Sequence, residues 1–317
     1  MRLLVTSLFA LISFLLVSGC QSDTDTQSDS QTDTEIESAG VLIEGEEPEI
    51  IAGPLEFTEG PYWHPDGYLL FSDIPANRVY RWSETEGLDV YLEPSGNSNG
   101  IEADIDGSIL LAQHAGRVSR LTSDGDLTVI ADSYDGQRLN SPNDIAVHSN
   151  GTIYFTDPPF GVSDENRELD FSGVYSISPD GELSVVYDEF EYPNGIVFSA
   201  DENRLYISDS GTGTVMRFDV DENGIISSPE EFANVGEMGS GMGAADGMET
   251  DEAGNLYTTG PQGIIIYDEN GNLLHLIEFD EQITNVGWGG EELNHLYITG
   301  GDHVYRYVMD ATGSKKR

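Results

Sequence analysis

Asn150-Gly151-Thr152-Ile153-Tyr154-Phe155-Thr156-Asp157 is one of six variants of a single pattern, a turn followed by a short apolar strand. The others are Asp66-Gly67-Tyr68-Leu69-Leu70-Phe71-Ser72-Asp73, Asp106-Gly107-Ser108-Ile109-Leu110-Leu111 and Asn203-Arg204-Leu205-Tyr206-Ile207-Ser208-Asp209, then Gly254-Asn255-Leu256-Tyr257-Thr258-Thr259 and Asn294-His295-Leu296-Tyr297-Ile298-Thr299. Copies recur about every 40 to 50 residues, the length of a four-stranded propeller blade.

Each copy has a strand before it and another after it, such as Arg78-Val79-Tyr80-Arg81-Trp82 or Gly213-Thr214-Val215-Met216-Arg217-Phe218. Asp124-Gly125, Asp180-Gly181 and Asn270-Gly271 then supply the positive φ angles that tight hairpins need. The repeated strand is apolar on both faces, as expected when blades pack face to face. The reading is all-β: a six-bladed β-propeller with four-stranded blades. The sixth blade lacks a fourth strand after Val304-Tyr305-Arg306-Tyr307, and the strand-like segment Glu49 to Phe57 is expected to complete it and hide the sheet edges.

The ends of the chain read differently. Met1-Arg2, an apolar run from Leu3 to Val17 and the small residues Ser18-Gly19 before Cys20 form a signal-peptide pattern resembling a lipobox, so residues 1–19 are expected to be removed and Cys20 to carry the lipid. Residues 20–48 are an acidic, Ser/Thr/Gln-rich tether, too polar to bury a core. The propeller is placed at 49–310 and a flexible basic tail at 311–317. This organisation implies an exported, membrane-anchored protein, periplasmic or on the cell surface, whose contact with the membrane is the lipid alone. Cys20 is the sole cysteine, so no intrachain disulfide can form.

The 317 residues hold 58 acidic against 13 basic side chains, a formal net charge of −45. A surface of that sign excludes nucleic acid as a partner, because phosphate binding needs a basic face. It reads as a solvated acidic coat, self-repelling and screened by salt, and a monomer is expected.

The residues that open the first strand of each blade carry the chemistry. They are Glu59-Gly60, Asn99-Gly100, Asn143-Asp144, Asn194-Gly195, Asp246-Gly247 and Asn285-Val286. First strands line the central channel of a propeller, so six oxygen-bearing side chains converge at one end of it. Carboxylate and amide oxygens without cysteine or histidine describe a site for a hard divalent cation, calcium first, with zinc, magnesium or manganese as other candidates. Asn-Gly and Asp-Gly are also turn formers, which is the competing structural reading of these pairs.

Glu59-Gly60-Pro61-Tyr62-Trp63, Arg138 to Asp144 (RLNSPND), Tyr154 to Gly161 (YFTDPPFG), Pro193-Asn194-Gly195 and Ala245-Asp246-Gly247-Met248 occur in an order and at spacings that resemble the gluconolactonase, regucalcin and luciferin-regenerating-enzyme family. The likeness runs from about Glu56 to Tyr307. It implies a divalent metal held by Glu59, Asn194 and Asp246, with Asp246 also the general base. It further implies Asn143 as ligand or substrate contact, and His114 of Gln113-His114-Ala115-Gly116-Arg117 as a substrate contact. Asn99 is a candidate for binding sugar hydroxyls. The departure from the family pattern is the glycine-rich stretch 236–245, either a lid or a longer connection. The implied activity is hydrolysis of a sugar lactone, a carboxylic ester. The rivals are another metal-dependent esterase or organophosphate hydrolase on the same scaffold, and a non-catalytic, calcium-stabilised binding module. No nucleophile-elbow serine argues for covalent acyl transfer.

Overall fold

The computed structural model describes residues 40–239, 241 and 243–314. Six four-stranded antiparallel sheets make up the propeller. Their first strands are Thr58–His64, Ser98–Ala103, Ile145–Val147, Pro193–Phe198, Met248–Thr250 and Ile283–Gly289, and each packs against its counterparts in the neighbouring blades. Their second strands are the six repeats: Tyr68–Asp73, Ile109–Gln113, Ile153–Asp157, Arg204–Asp209, Leu256–Gly260 and His295–Gly300.

The repeat is two-faced because each blade is sandwiched. Between blades 3 and 4, Ala146, Tyr154 and Val174 meet Ile196, Phe198, Leu205, Ile207 and Phe218 in one buried cluster. Phe71, Phe155 and Phe218 are almost fully buried, and truncating such a ring to alanine typically costs about 3–5 kcal/mol.

The polar ends of the repeats have separate work. Ser72, Thr156 and Ser208 donate from Oγ to the backbone carbonyls of Asn99, Asn194 and Asp246, one blade further on, at 2.7–2.8 Å. The following acids hold the incoming loops: Asp73 accepts from the Glu56 and Phe57 amides, Asp157 from Asn140 and Ser141, and Asp209 from Glu191 and Tyr192. Hydroxyl and acid thus tie each of these three blades to the entry of a first strand.

The ring closes as expected, over a shorter stretch. Glu49–Ala52 pairs antiparallel with the third strand of blade 6, with Glu49 opposite Arg306 and Ala52 opposite Val304. Phe57 lies outside this strand, because the chain has already crossed to blade 1. There Thr58 donates from N to Gly301 O and from Oγ1 to His303 O.

Two domain limits need correction. Val41 is buried among Tyr307, Met309 and Ala311, and Leu42 bridges Met309, so the packed body begins before residue 49. The expected tail likewise starts late: Ala311 is buried, Gly313 bridges Asp251, and Ser314 donates from N to Thr250 O. Apolar Val41, Met309 and Ala311 explain both, since each covers part of the blade 5–6 core. The leader, Cys20, the tether through residue 39 and Lys315 to Arg317 lie outside the described residues.

Candidate active site at the mouth of the channel

The ring residues converge as the repeat demanded. Glu59, Asn99, Asn143, Asn194, Asp246 and Asn285 are all less than a tenth exposed. The register of the first strand slips between Glu59 and Tyr62, Ser98 and Ile101, Pro193 and Ile196, and Ile283 and Asn285. These are bulges at the channel mouth, and a bulge re-aims the side chain it carries. In blades 3 and 5 the strand begins only after the ring residue. The Asn-Gly and Asp-Gly pairs are therefore not hairpin turns. Their glycines serve close approach: a Cβ on Gly60 would lie 2.1 Å from Asn99 O, and one on Gly195 2.3 Å from Asp246 O.

Hydrogen bonds orient the polar heads. Asn285 bonds the Glu59 carboxylate, which also accepts from Gly60 N. Asn194 donates from Nδ2 to Ser210 Oγ at 2.9 Å and bonds the Asp246 carboxylate, leaving its Oδ1 as an acceptor. Asp246 is fixed by its own amide, which donates to Thr259 Oγ1. Its Oδ1 is buried with no hydrogen-bond partner, and so is Asn99 Oδ1. Buried polar atoms in native proteins are rarely left unpaired.

Electrostatics sharpen the site. Burial, then the nearby Asp246 and Asp144 carboxylates, push Glu59 well above the ordinary carboxylate range. Burial and Asp144 do the same to Asp246. The Glu59 and Asp246 carboxylates, with the Asn194 amide oxygen beside them and the Asp144 charge nearby, form a donor set that fits a hard divalent cation.

Asn99 and His114 stand together, Nδ2 to Nε2 at 3.3 Å. Burial pushes the imidazole down to about 4, so His114 is neutral at pH 7 and can accept from the Asn99 amide through Nε2. Asn143 is brought to the ring by the loop that Asp157 clamps.

Among its described residues the glycine-rich stretch is largely exposed, with close approaches to blade 5 at Gly241 and Gly243. A 3-10 turn covers Val235–Met238, and Gly241 and Gly243 lie against the carbonyls of Pro261 and Gly260, where a Cβ would come within 2.0 Å. Ser240 and Met242 lie outside the described residues.

Two further features were not sought from sequence. Glu281, Asp302 and His303 place three ligand atoms within 4.8 Å of one another beside the ring closure. His303 Nδ1 lies 2.8 Å from Asp302 and 3.7 Å from Glu281, so ion pairing accounts for the group when His303 is protonated. A cavity of about 1050 Å³, lined by Tyr62, Glu102, Glu249 and Trp288, opens at the opposite end of the channel. These four lie three residues beyond Glu59, Asn99, Asp246 and Asn285, on strands running away from the ring. Asp246 Oδ1 and Asn99 Oδ1 are the buried oxygens of the ring that carry no hydrogen bond, and the ring is taken as the candidate site.

Known proteins resemble this chain over most of its length. Residues 57–301 match the family model described as the SMP-30/Gluconolactonase/LRE-like region. The chain is 34% identical to a gluconolactonase of Zymomonas mobilis, over 81% of this chain and 80% of that one. It is 32% identical to a pentonolactonase of Haloferax volcanii, covering 77% and 82%. Among solved structures, a gluconolactonase of Xanthomonas campestris superposes with a TM-score of 0.77 at 30% identity, covering 86% and 92%.

Proposed function

This chain belongs to the SMP-30/gluconolactonase/LRE-like family, and from that premise we propose that it is a metal-dependent lactone hydrolase acting on the cyclic ester of a sugar acid. The relatives named as gluconolactonase and pentonolactonase support the substrate class. The observation that carries the metal is Asp246 Oδ1, buried without a partner beside Asn194 and the Glu59 carboxylate.

Glu59, Asn194 and Asp246 would hold the ion, calcium by the hardness of these oxygens. A bound divalent cation supplies a Lewis acid that polarises the lactone carbonyl and offsets charge on its oxygen as water adds. Asp246 takes the proton of the attacking water. General-base assistance of this kind is typically worth about 10²–10⁴-fold in rate. Addition of water forms the new C–O bond, the ring ester C–O bond breaks as the carbonyl re-forms, and the proton held by Asp246 passes to the departing alkoxide. Asn99, Asn143 and neutral His114 orient the sugar hydroxyls, the imidazole through hydrogen bonds rather than charge.

The exported, lipid-anchored location read from residues 1–20 is part of the same proposal. The test is turnover of five- and six-membered aldonolactones by purified protein, with and without chelator and with calcium restored. Turnover that chelator abolishes and calcium restores supports the reading. Turnover that ignores chelator removes the metal, and hydrolysis of aryl esters or phosphotriesters alone moves the protein to another hydrolase class. Calcium binding with no turnover of any substrate leaves a binding module.

A further inference from the structure

The position that follows each ring residue is Gly60, Gly100, Gly195 and Gly247 in four blades and Val286 in a fifth. In blade 3 it is Asp144. The glycines mark a seam too tight for a side chain: a Cβ on Gly60, Gly195 or Gly247 would come within 2.3 Å of the next blade. Asp144 fills the equivalent place with a charged group, and it is 9% exposed. A buried charge is costly unless it is compensated.

Its contacts show what the seam gains. Asp144 Oδ1 accepts from Ile145 N at 2.9 Å, and Oδ2 accepts across the seam from Ile196 N at 3.3 Å, two residues after Asn194. The Asp144 amide donates to Thr156 Oγ1, whose hydroxyl donates to Asn194 O at 2.7 Å. Main chain and side chain of Asp144 thus hold both flanks of Asn194. Gly100 clears the space, since a Cβ there would lie 2.6 Å from Asp144 Oδ1. Of the causes that raise the Asp246 carboxylate, Asp144 ranks next after burial itself.

We propose that Asp144 is a positioning residue of the cation site: it anchors the Asn194 strand across the blade 3–4 seam and supplies a third negative charge without being a ligand. The proposal rests on the metal reading above. It carries an opposite-sign signature. The third charge strengthens cation binding and weakens the cation-free protein, because it repels Glu59 and Asp246 in a desolvated space.

Asp144→Asn separates charge from shape, since its amide oxygen can still accept from Ile196 N. Calcium affinity measured by titration calorimetry should fall by at least about 10-fold, since one unit charge a few ångströms from a divalent ion at an effective dielectric near 20 outweighs the energy of a tenfold change. In chelator the same variant should melt higher than wild type. Asp144→Gly, carrying the residue found in four other blades, should lose more calcium affinity because the Ile196 contact goes too, and it serves if the asparagine variant does not fold. A calcium Kd within about twofold of wild type overturns the proposal, as does a variant that melts lower in chelator with affinity unchanged, the mark of a merely structural residue. A wild type that binds no calcium overturns the metal reading itself.

Discussion

Chelation should make the stability of this protein depend on pH in a way that calcium opposes. Without cation, Glu59 and Asp246 have folded pKa values above their unfolded ones. Their contribution to stability is therefore fully present below the unfolded carboxylate range, near pH 4, and is lost as pH rises through the raised folded values. Calcium binds the ionised form, so protons compete with it. At a free concentration 100 times Kd, the ion adds about 2.7 kcal/mol, which for a domain of this size corresponds to about 5–10 °C in Tm. Each proton that calcium must displace weakens binding by up to about 1.4 kcal/mol per pH unit, so with two such carboxylates the gain should shrink as pH falls. The assay is a thermal melt at pH 5 and pH 8, in chelator and in millimolar calcium. Expected are a chelated Tm that falls from pH 5 to pH 8 and a calcium shift that grows over the same range. A calcium shift equal at both pH values, or one that survives intact in Glu59→Gln, would refute the reasoning.

Other outcomes follow from the same site. Glu59→Gln, Asn194→Ala and Asp246→Asn should each weaken calcium binding in a titration while the propeller remains folded. At saturating calcium Asp246→Asn should recover metal occupancy but stay about 10²–10⁴-fold slow, and wild-type-like turnover by that loaded variant would remove Asp246 as base. Asp157, pushed up to about 7 by burial, should contribute stability that is lost between about pH 4 and pH 7; Asp157→Asn should flatten that part of the chelated melting profile, by at most about 4 kcal/mol. Gly247→Ala would set a Cβ 1.9 Å from Asn285 Oδ1, so it should disturb the Asn285–Glu59 bond and lower calcium affinity. Fatty-acid labelling of the wild type but not of Cys20→Ser is expected from the proposed anchor, and an unlabelled wild type would sink it.

The sequence by itself determined the architecture and the membership of the ring. A propeller is made of short-range units, so the Tyr154-Phe155-Thr156-Asp157 pattern and its five counterparts report a blade wherever they occur, and the first strand's position follows by counting. The same counting placed Glu59, Asn99, Asn143, Asn194, Asp246 and Asn285 at one level. Only the tertiary structure decided what the pairs do there. Asn99-Gly100 and Asn194-Gly195 have the composition of turns, and whether such a pair turns or bulges depends on the neighbouring blade, which no local window contains. Asp144 had no signal as an anchor of Asn194, because the two are 50 residues apart and meet only when blades 3 and 4 close on each other. The limits of the body escaped for the same reason: Val41 and Ala311 are unremarkable in sequence and become core residues through the blade 5–6 surface they cover. Local periodicity specifies the blades, whereas desolvation, seam geometry and the repulsion of three carboxylates arise only when the ring is closed.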